Sequence, residues 1–334
     1  MGQPNSHHGL YNQGATCYLN SILQVLYMTP EFNSRLKKKS PADRELRKIF
    51  EGLKEKTYRI ENITGLLEMT EDVYQQRDAA ECLEMILRKV SPKASEVFEG
   101  RLRCTTKCSQ GHIIIEETNP FRTLSLSLND TQDKTYDVES SFQDLKGNNV
   151  YCKECQKKTD ATKECEMVED PQILALLLKR FDIDYNTMSY VKSDCKVNVP
   201  HTLKTKNKRY SLYGMVNHMG SLSGGHYTAT ILSDEDQTWY EFDDDRVREV
   251  KKPPHSSQTA YLLVYRGDYS FGADQRASRV ITNSYNCCSC SFLCFSPYYF
   301  RRCLIKPLVF LQTCFKVCEN ILLCLIFHGF PTSK

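Results

Sequence analysis

The sequence predicts an α+β fold, with helices first along the chain and strands after them. Two observations support this fold class. Apolar residues recur at helical spacing between residues 19 and 87, and short alternating or continuous apolar runs recur between residues 98 and 265. The chain has 334 residues, of which 40% are hydrophobic, so it can form one large packed domain or two small ones.

The first predicted helix begins at Cys17 and ends before Pro30, and a polar turn that contains glycine, residues 9–16, leads into it. At a helix N-terminus, unpaired N–H groups and the helix dipole favour a thiolate, so we expect a lowered pKa for Cys17. The N–H groups of the turn and the amide of Asn12 could also hold an oxyanion. The alternative is an inert buried thiol, the usual state of a free cysteine.

Further helices are predicted over residues 31–75, where apolar residues alternate with lysine and arginine, and over residues 76–90. Asp78 is a suitable N-cap for the second of these, and Glu81 stands three residues later, close to a capping box. The apolar face of that helix follows at once, over residues 82–87.

Strands dominate the second half of the chain. The apolar run 173–181 is typical of a strand buried on both faces or of a short helix. His226 follows two glycines and opens an alternating strand, and the next short strand ends in Asp243, Asp244 and Asp245. Two such strands, paired antiparallel, would place an acid beside the imidazole and complete a Cys-His-Asp triad. A structural histidine and a solvated acidic turn are the alternatives.

A candidate metal site lies between the predicted helices and the apolar run at residues 173–181. Cys152 and Cys155 form a Cys-x-x-Cys knuckle, which is half of a zinc site. The upstream half is imperfect: Cys108 supplies a third ligand, and either His112 or Cys104 supplies the fourth. Tetrahedral zinc needs four ligands to stabilise a fold.

The composition excludes several classes of protein. A net charge of +3 gives no nucleic-acid-binding footprint, and the chain opens without the pattern of a signal peptide. Sixteen cysteines, eight of them after residue 270, are therefore expected to be reduced thiols, metal ligands and a nucleophile rather than a disulfide framework. Charged residues interrupt every window of the tail that is long enough to span a bilayer, so we expect no transmembrane segment.

The segments around Cys17 and His226 resemble the Cys box and the His box of the ubiquitin-specific proteases. Both are long, stand in the family's order and are separated by a domain-sized interval, and the resemblance covers roughly residues 9–266. Residues 12–17 are similar to the herpesvirus-associated branch. Residues 28–32 and 179–185 look most like the branch that contains ubiquitin carboxyl-terminal hydrolase 47.

The resemblance implies a papain-like fold with a helical thumb, a β palm and β fingers, the fingers at about residues 98–165. The catalytic domain would be residues 9–267, between a disordered leader, residues 1–8, and a poorly ordered cysteine-rich tail, residues 268–334. The resemblance does not decide whether the fingers hold zinc, because part of the family has lost the zinc ion and keeps only the finger fold. No cofactor is expected for catalysis.

The implied activity is cysteine-dependent hydrolysis of the isopeptide or peptide bond after the C-terminal glycine of ubiquitin. Cys17 would be the nucleophile, His226 the base and Asp243 the orienting acid, with Asp244 as the alternate acid. Asn12 would stabilise the oxyanion together with the Cys17 N–H. The residues that would contact ubiquitin are Gln76, Asp78, Glu81 and Gly225. The two acids would face the arginines of its tail, and Gly225 would lie beside its diglycine end.

The expected partners are ubiquitin and ubiquitinated proteins, with no nucleic acid. We expect a monomer in the cytoplasm, the nucleus or both. Two other functions stay open on the sequence. One is a catalytically inactive ubiquitin-binding pseudoenzyme, and the other is a protease for another modifier that ends in diglycine.

Overall fold

The computed structural model describes residues 7–68, 74–128, 135–138, 145–184, 188–221, 224–250 and 255–268. The chain divides into Met1–Phe271 and Gly272–Lys334, and all described residues belong to the first unit. Residues 1–6 of the predicted leader and residues 269–334 of the predicted tail lie outside the described residues. His7 is packed: its Nε2 lies 3.2 Å from Ser233 Oγ and its ring lies 4.5 Å from that of Tyr240.

The helical part of the domain is organised around a central helix, α1, which is buried at ten of its 11 positions. A helix that is buried on all sides belongs to the core of a domain. The predicted N-cap of α5 is confirmed, since Asp78 Oδ1 accepts hydrogen bonds from the N–H groups of Ala80 and Glu81 at 2.7 and 3.0 Å. The helices are α1 (Cys17–Tyr27), α2 (Pro30–Asn33), α3 (Pro41–Leu53), α4 (Glu61–Leu66), α5 (Ala79–Lys89) and α6 (Pro92–Ser95), followed by a 3-10 turn (Glu96–Phe98).

Strands follow the helices, as the sequence predicts. In chain order they are β1 (Gly100–Cys108), β2 (Ile113–Phe121), β3 (Thr123–Ser127), β4 (Tyr136–Asp137), β5 (Leu145–Cys152), β6 (Lys157–Glu169), β7 (Ile173–Lys179), β8 (Phe181–Asp184), β9 (Ser189–Lys192), β10 (Val197–Asn198), β11 (Thr202–Lys204), β12 (Arg209–Ser221), β13 (Gly224–Leu232), β14 (Trp239–Asp243), β15 (Arg246–Val250), β16 (Ser256–Ser257) and β17 (Ala260–Gly267).

The largest sheet, which we call the palm sheet, has the strand order β15-β14-β13-β12-β17-β7-β3, with β11 paired to β12. Both faces of it are buried. On β7, Ile173 and Ala175 pack with the helices, whereas Leu174, Leu176 and Leu178 pack into a second core on the opposite face. This explains why residues 173–178 form a continuous apolar run, and of the two alternatives that the sequence left open there, the strand is the one found.

A separate antiparallel sheet, the finger sheet, has the order β2-β1-β6-β5. Cys104 on β1 lies directly opposite Cys165 on β6, and the two form a disulfide. The expectation that the cysteines are reduced is therefore wrong for this pair, because the register of two strands far apart in sequence brings the sulfurs together. It also removes Cys104 as the alternate metal ligand.

Among the described residues, no helix is both long enough and apolar enough to cross a membrane.

Candidate active site

The palm sheet and α1 place Cys17 beside the strand that carries His226, since the backbone N–H of Tyr227 faces the thiol. Cys17 is the first residue of α1, His226 lies near the start of β13, and Asp243 ends the neighbouring strand β14. Asp243 Oδ1 lies 2.6 Å from His226 Nε2. That bond leaves Nδ1 of the imidazole for the thiol. Among the described residues, no hydrogen bond joins Cys17 Sγ to His226; such bonds commonly tighten only when substrate binds.

Asp244, the alternate acid, has different partners. Its Oδ2 accepts a hydrogen bond from Asn12 Nδ2 at 2.9 Å, and its Oδ1 accepts one from Asn20 Nδ2 at 2.8 Å. Its backbone carbonyl accepts from Leu10 N–H at 2.8 Å. The two adjacent acids therefore have different roles. Asp243 orients His226, and Asp244 connects the end of β14 to the loop before Cys17.

The side chain of Asn12 shapes that loop. Its Oδ1 accepts hydrogen bonds from the N–H groups of Gly14 and Thr16 at 2.9 and 3.0 Å. Gly14 has a φ of 139°, which favours glycine. One hydrogen of Asn12 Nδ2 is used by Asp244 and an amide nitrogen carries two, so the second remains for an oxyanion.

The thiol of Cys17 is buried, with an exposed fraction of 3%. Burial raises its pKa, and the carboxylate of Asp244 adds to this. The backbone N–H groups of Tyr227 and Tyr18 and the side chain of Gln76 offset it only in part. The expected lowering of the Cys17 pKa is therefore wrong for this structure, because desolvation outweighs the effect of the helix N-terminus.

An acidic groove of about 520 Å³ runs beside α5. Asp78 caps α5 through Oδ1, and its Oδ2 accepts a hydrogen bond from the hydroxyl of Tyr261. Glu81 and Glu84 add two further carboxylates, and the cation that lines the groove is Arg88. The groove is therefore suited to an extended basic peptide.

Gln76, one of the residues predicted to bind ubiquitin, lies beside the nucleophile. Its amide makes two hydrogen bonds to the backbone of Gly225, and its Nε2 lies 3.7 Å from Cys17 Sγ. Gly225 has no room for a Cβ, which would overlap the imidazole of His218 and the carbonyl of Met219. The backbone before His226 is thus held from both sides.

Two residues of the site were missed by the sequence reasoning. Asn20 is 2% exposed and anchors Asp244, and His218 is 2% exposed and packs against Gly225. Asn20 carried a usable signal, since it is a polar residue one turn into a helix in which Leu19 and Ile22 belong to an apolar stripe. His218 carried none, because its position depends on the pairing of β12 with β13. Burial lowers the pKa of His218 to about 4, so its imidazole is neutral at neutral pH.

The four predicted metal ligands meet at the end of the finger sheet, and their ligand atoms all lie within 4.8 Å of one another. His112 Nδ1 lies 3.3, 3.5 and 3.9 Å from the sulfurs of Cys155, Cys108 and Cys152, and the sulfurs of Cys108 and Cys155 lie 3.8 Å apart. For a tetrahedral zinc ion, bond lengths of about 2.3 Å to sulfur and about 2.0 Å to nitrogen give edges of about 3.5–3.8 Å. The cluster therefore has the size and the donor set to hold a metal ion.

The thiol of Cys108 in this cluster has a lowered pKa. Burial opposes ionisation of Cys108, yet the backbone N–H groups of Gln110 and His112 and the thiols of Cys152 and Cys155 lower its pKa to about 7. A thiolate is the form that binds a metal ion.

The sequence profile of the ubiquitin carboxyl-terminal hydrolase family matches residues 8–265. The chain belongs to this family. Ubiquitin carboxyl-terminal hydrolase 15 of Schizosaccharomyces pombe is 29% identical over an alignment of 273 positions, gaps included, which covers 72% of this chain and 24% of that protein. Ubiquitin carboxyl-terminal hydrolase 47 of Homo sapiens is 25% identical over an alignment of 379 positions, gaps included, which covers 77% of this chain and 27% of that protein.

Solved structures of the family show the same fold. The SAGA Ubp8/Sgf11/Sus1/Sgf73 DUB module bound to ubiquitin aldehyde matches with a TM-score of 0.64 and 26% identity, over 81% of this chain and 72% of that one. The same module bound to monoubiquitin matches with a TM-score of 0.65 and 25% identity, over 81% and 71%. The predicted family and the papain-like α+β fold are confirmed. The chain spans about a quarter of the length of the curated relatives named above.

Proposed function

We propose that this chain is a cysteine-dependent deubiquitinase, which hydrolyses the isopeptide or peptide bond after the C-terminal glycine of ubiquitin. The observation that supports it is the His226–Asp243 pair of the palm sheet, together with Cys17 at the start of a buried helix beside Tyr227, the residue that follows His226. A nucleophile, a base and an orienting acid in this arrangement perform acyl transfer to a thiol.

In the proposed reaction, Asp243 holds Nε2 of His226, and Nδ1 takes the proton of the Cys17 thiol. The thiolate attacks the carbonyl carbon of the terminal glycine, and His226 then gives its proton to the leaving amine. The free N–H of Asn12 and the backbone N–H of Cys17 stabilise the oxyanion. Water, deprotonated by His226, hydrolyses the thioester and restores the thiol.

The substrate's approach follows from the acidic groove. We propose that the arginine-bearing tail of ubiquitin lies along Asp78, Glu81 and Glu84, with its diglycine end beside Gly225. The tight packing of Gly225 supports this, since it leaves backbone rather than side chains next to the nucleophile. Ubiquitin and ubiquitinated proteins are the proposed partners.

We also propose that the metal ion of the finger sheet is zinc. Cys108, His112, Cys152 and Cys155 would hold it, and it would fix the turns at the end of that sheet without taking part in catalysis. The proposed location is the cytoplasm or the nucleus, where the free cysteines of the described residues would stay reduced and the Cys104–Cys165 disulfide would be the exception.

The experiment is labelling with ubiquitin that carries a C-terminal electrophile, read as a mass shift of the full chain. Wild type is expected to be labelled, Cys17→Ala not at all, and His226→Ala far more slowly. Cys82→Ala removes another buried thiol and is the matched control, expected to label as wild type does.

Labelling that survives Cys17→Ala would refute the assignment of the nucleophile. Ubiquitin that binds without reacting would show a pseudoenzyme. Faster labelling by a probe made from another diglycine-ended modifier would show a different substrate.

A further inference from the structure

The side chain of Gln76 lies between the nucleophile and the strand that carries the catalytic histidine. Its Oε1 accepts a hydrogen bond from the N–H of Gly225, and its Nε2 donates one to the carbonyl oxygen of the same residue. A backbone N–H can only donate and a carbonyl can only accept, so these two bonds fix the orientation of the amide. It is therefore Nε2, and not Oε1, that lies 3.7 Å from Cys17 Sγ.

The Nε2 nitrogen carries two hydrogens. The carbonyl of Gly225 takes one, and the sulfur of Cys17 takes the other. A hydrogen bond to an ionised acceptor is roughly twice as strong as one between neutral groups, so this bond strengthens when the thiol loses its proton. Because Gly225 holds the amide at both ends, the donor is in place before the charge develops.

The surroundings of the sulfur show why such a donor matters. The site is buried, and Asp244 places a negative charge nearby, so both features disfavour a thiolate. Donors must offset them for a nucleophile to form. The groups that face Cys17 come from α1, from the segment before α5, from β13 and from the turn after β14, and they are Tyr18, Gln76, Tyr227 with its neighbour His226, and Asp244.

We propose that Gln76 is a catalytic residue, which donates a hydrogen bond to the sulfur of Cys17 and stabilises its thiolate. This proposal rests on the proposed deubiquitinase function and deepens it. It gives Gln76 a role at the reacting atom, distinct from the contact with the ubiquitin tail that the family resemblance implies. The same amide also keeps Gly225, the residue before His226, beside the nucleophile.

The test measures the rate of Cys17 alkylation by iodoacetamide as a function of pH, with the Cys17 peptide of the full chain followed by mass spectrometry. The variants are Gln76→Met, which keeps the length of the side chain without its amide, and Gln76→Glu, which accepts from Gly225 N–H but cannot donate to sulfur. Gln75→Glu makes the same change of charge at the exposed neighbouring residue and is the matched control. Thermal melts confirm that each protein is folded.

In Gln76→Met the midpoint of the alkylation profile is expected to rise by about one pH unit, which means about tenfold slower alkylation at neutral pH. In Gln76→Glu the midpoint of the alkylation profile is expected to rise further, because a carboxylate then faces the thiolate. Gln75→Glu is expected to match wild type. With a fluorogenic ubiquitin substrate, Gln76→Met is expected to lower kcat with little change in KM, whereas loss of a tail contact would mainly raise KM.

Midpoints for both Gln76 variants within about 0.3 pH units of wild type would overturn the proposal, since losing a donor to a charged sulfur shifts the profile more than that. The alkylation assay needs no ubiquitin. A shifted profile in a protein that never cleaves ubiquitin would therefore refute the proposed function and leave the donor role standing. A wild type that cleaves ubiquitin, combined with unshifted alkylation profiles in both Gln76 variants, would support the proposed function and refute the donor role of Gln76.

Discussion

Replacing Asp244 by asparagine tests whether this carboxylate joins the loop before Cys17 to the palm sheet. Asp244 has a φ of 51°, a conformation that asparagine also tolerates, so Asp244→Asn adds no backbone strain. The carboxylate accepts from both Asn12 and Asn20, whereas an asparagine has one acceptor oxygen and can satisfy only one of them.

The magnitude follows from the burial of the two partners. Asn20 is 2% exposed, so the remaining oxygen is expected to stay with it, and the solvent-exposed bond to Asn12 is lost. The loss of that bond contributes about 1 kcal/mol, and the change of the Asn20 bond from charged to neutral contributes about another 1 kcal/mol. The free energy of unfolding should therefore fall by about 2 kcal/mol. Because Asn12 is no longer held, kcat should also fall, by about tenfold or more.

Urea denaturation measures the first effect, and hydrolysis of a fluorogenic ubiquitin substrate measures the second. Asp245→Asn is the matched control, because Asp245 is exposed and next in sequence. An unfolding free energy for Asp244→Asn within about 0.5 kcal/mol of the Asp245→Asn value would refute the reasoning, since surface changes have effects of that size.

Four further predictions follow from the site. Asp243→Asn should lower kcat by about 100-fold or more, because the imidazole loses the charge that orients it, and steady-state kinetics measures this. His112→Ala should lower the zinc content of the purified protein and its melting temperature, while His112→Cys retains both. Glu81→Arg should raise KM for ubiquitin by about fivefold or more with kcat nearly unchanged, and more so at low salt. Iodoacetamide should alkylate Cys17 more slowly at neutral pH than a free cysteine, because its raised pKa leaves a smaller fraction as thiolate.

Each of these has a control. Asp243→Asn and Glu81→Arg should leave the melting temperature within a few degrees of wild type, which separates chemistry from folding. His201→Ala removes a histidine remote from the metal cluster in sequence and should leave the zinc content unchanged. A zinc content for His112→Ala equal to that of wild type would contradict its assignment as a ligand. Alkylation of Cys17 faster than that of free cysteine would show that the helix N-terminus prevails over burial.

Features that lie within a single helix or strand could be predicted from the sequence. The polar turn before Cys17 and the apolar stripe after it place that residue at a helix N-terminus, and the structure begins α1 there. The apolar run at residues 173–181 indicated a strand buried on both faces or a short helix, and the palm sheet contains the strand, β7, from Ile173 to Lys179. In both cases the pattern lies within one element, so no knowledge of neighbouring elements was needed.

Features that depend on neighbouring elements were beyond the sequence. Asp243 and Asp244 are adjacent and chemically alike, so only the family resemblance assigned Asp243 as the orienting acid, and the geometry at the end of β14 pairs it with His226. The Cys104–Cys165 bond depends on the register between β1 and β6. The pKa of Cys17 depends on how deeply the packed domain buries it, which no local pattern reports.

The Cys104–Cys165 bond makes much of the finger sheet into a closed covalent ring, since 61 positions separate the two cysteines along the chain. Cys108, His112, Cys152 and Cys155 all lie on this ring. A protease that cuts the ring once does not release a fragment, because the two pieces stay joined through sulfur. The nicked protein therefore keeps its full mass on a gel without reductant and separates into two chains once a thiol reductant is added.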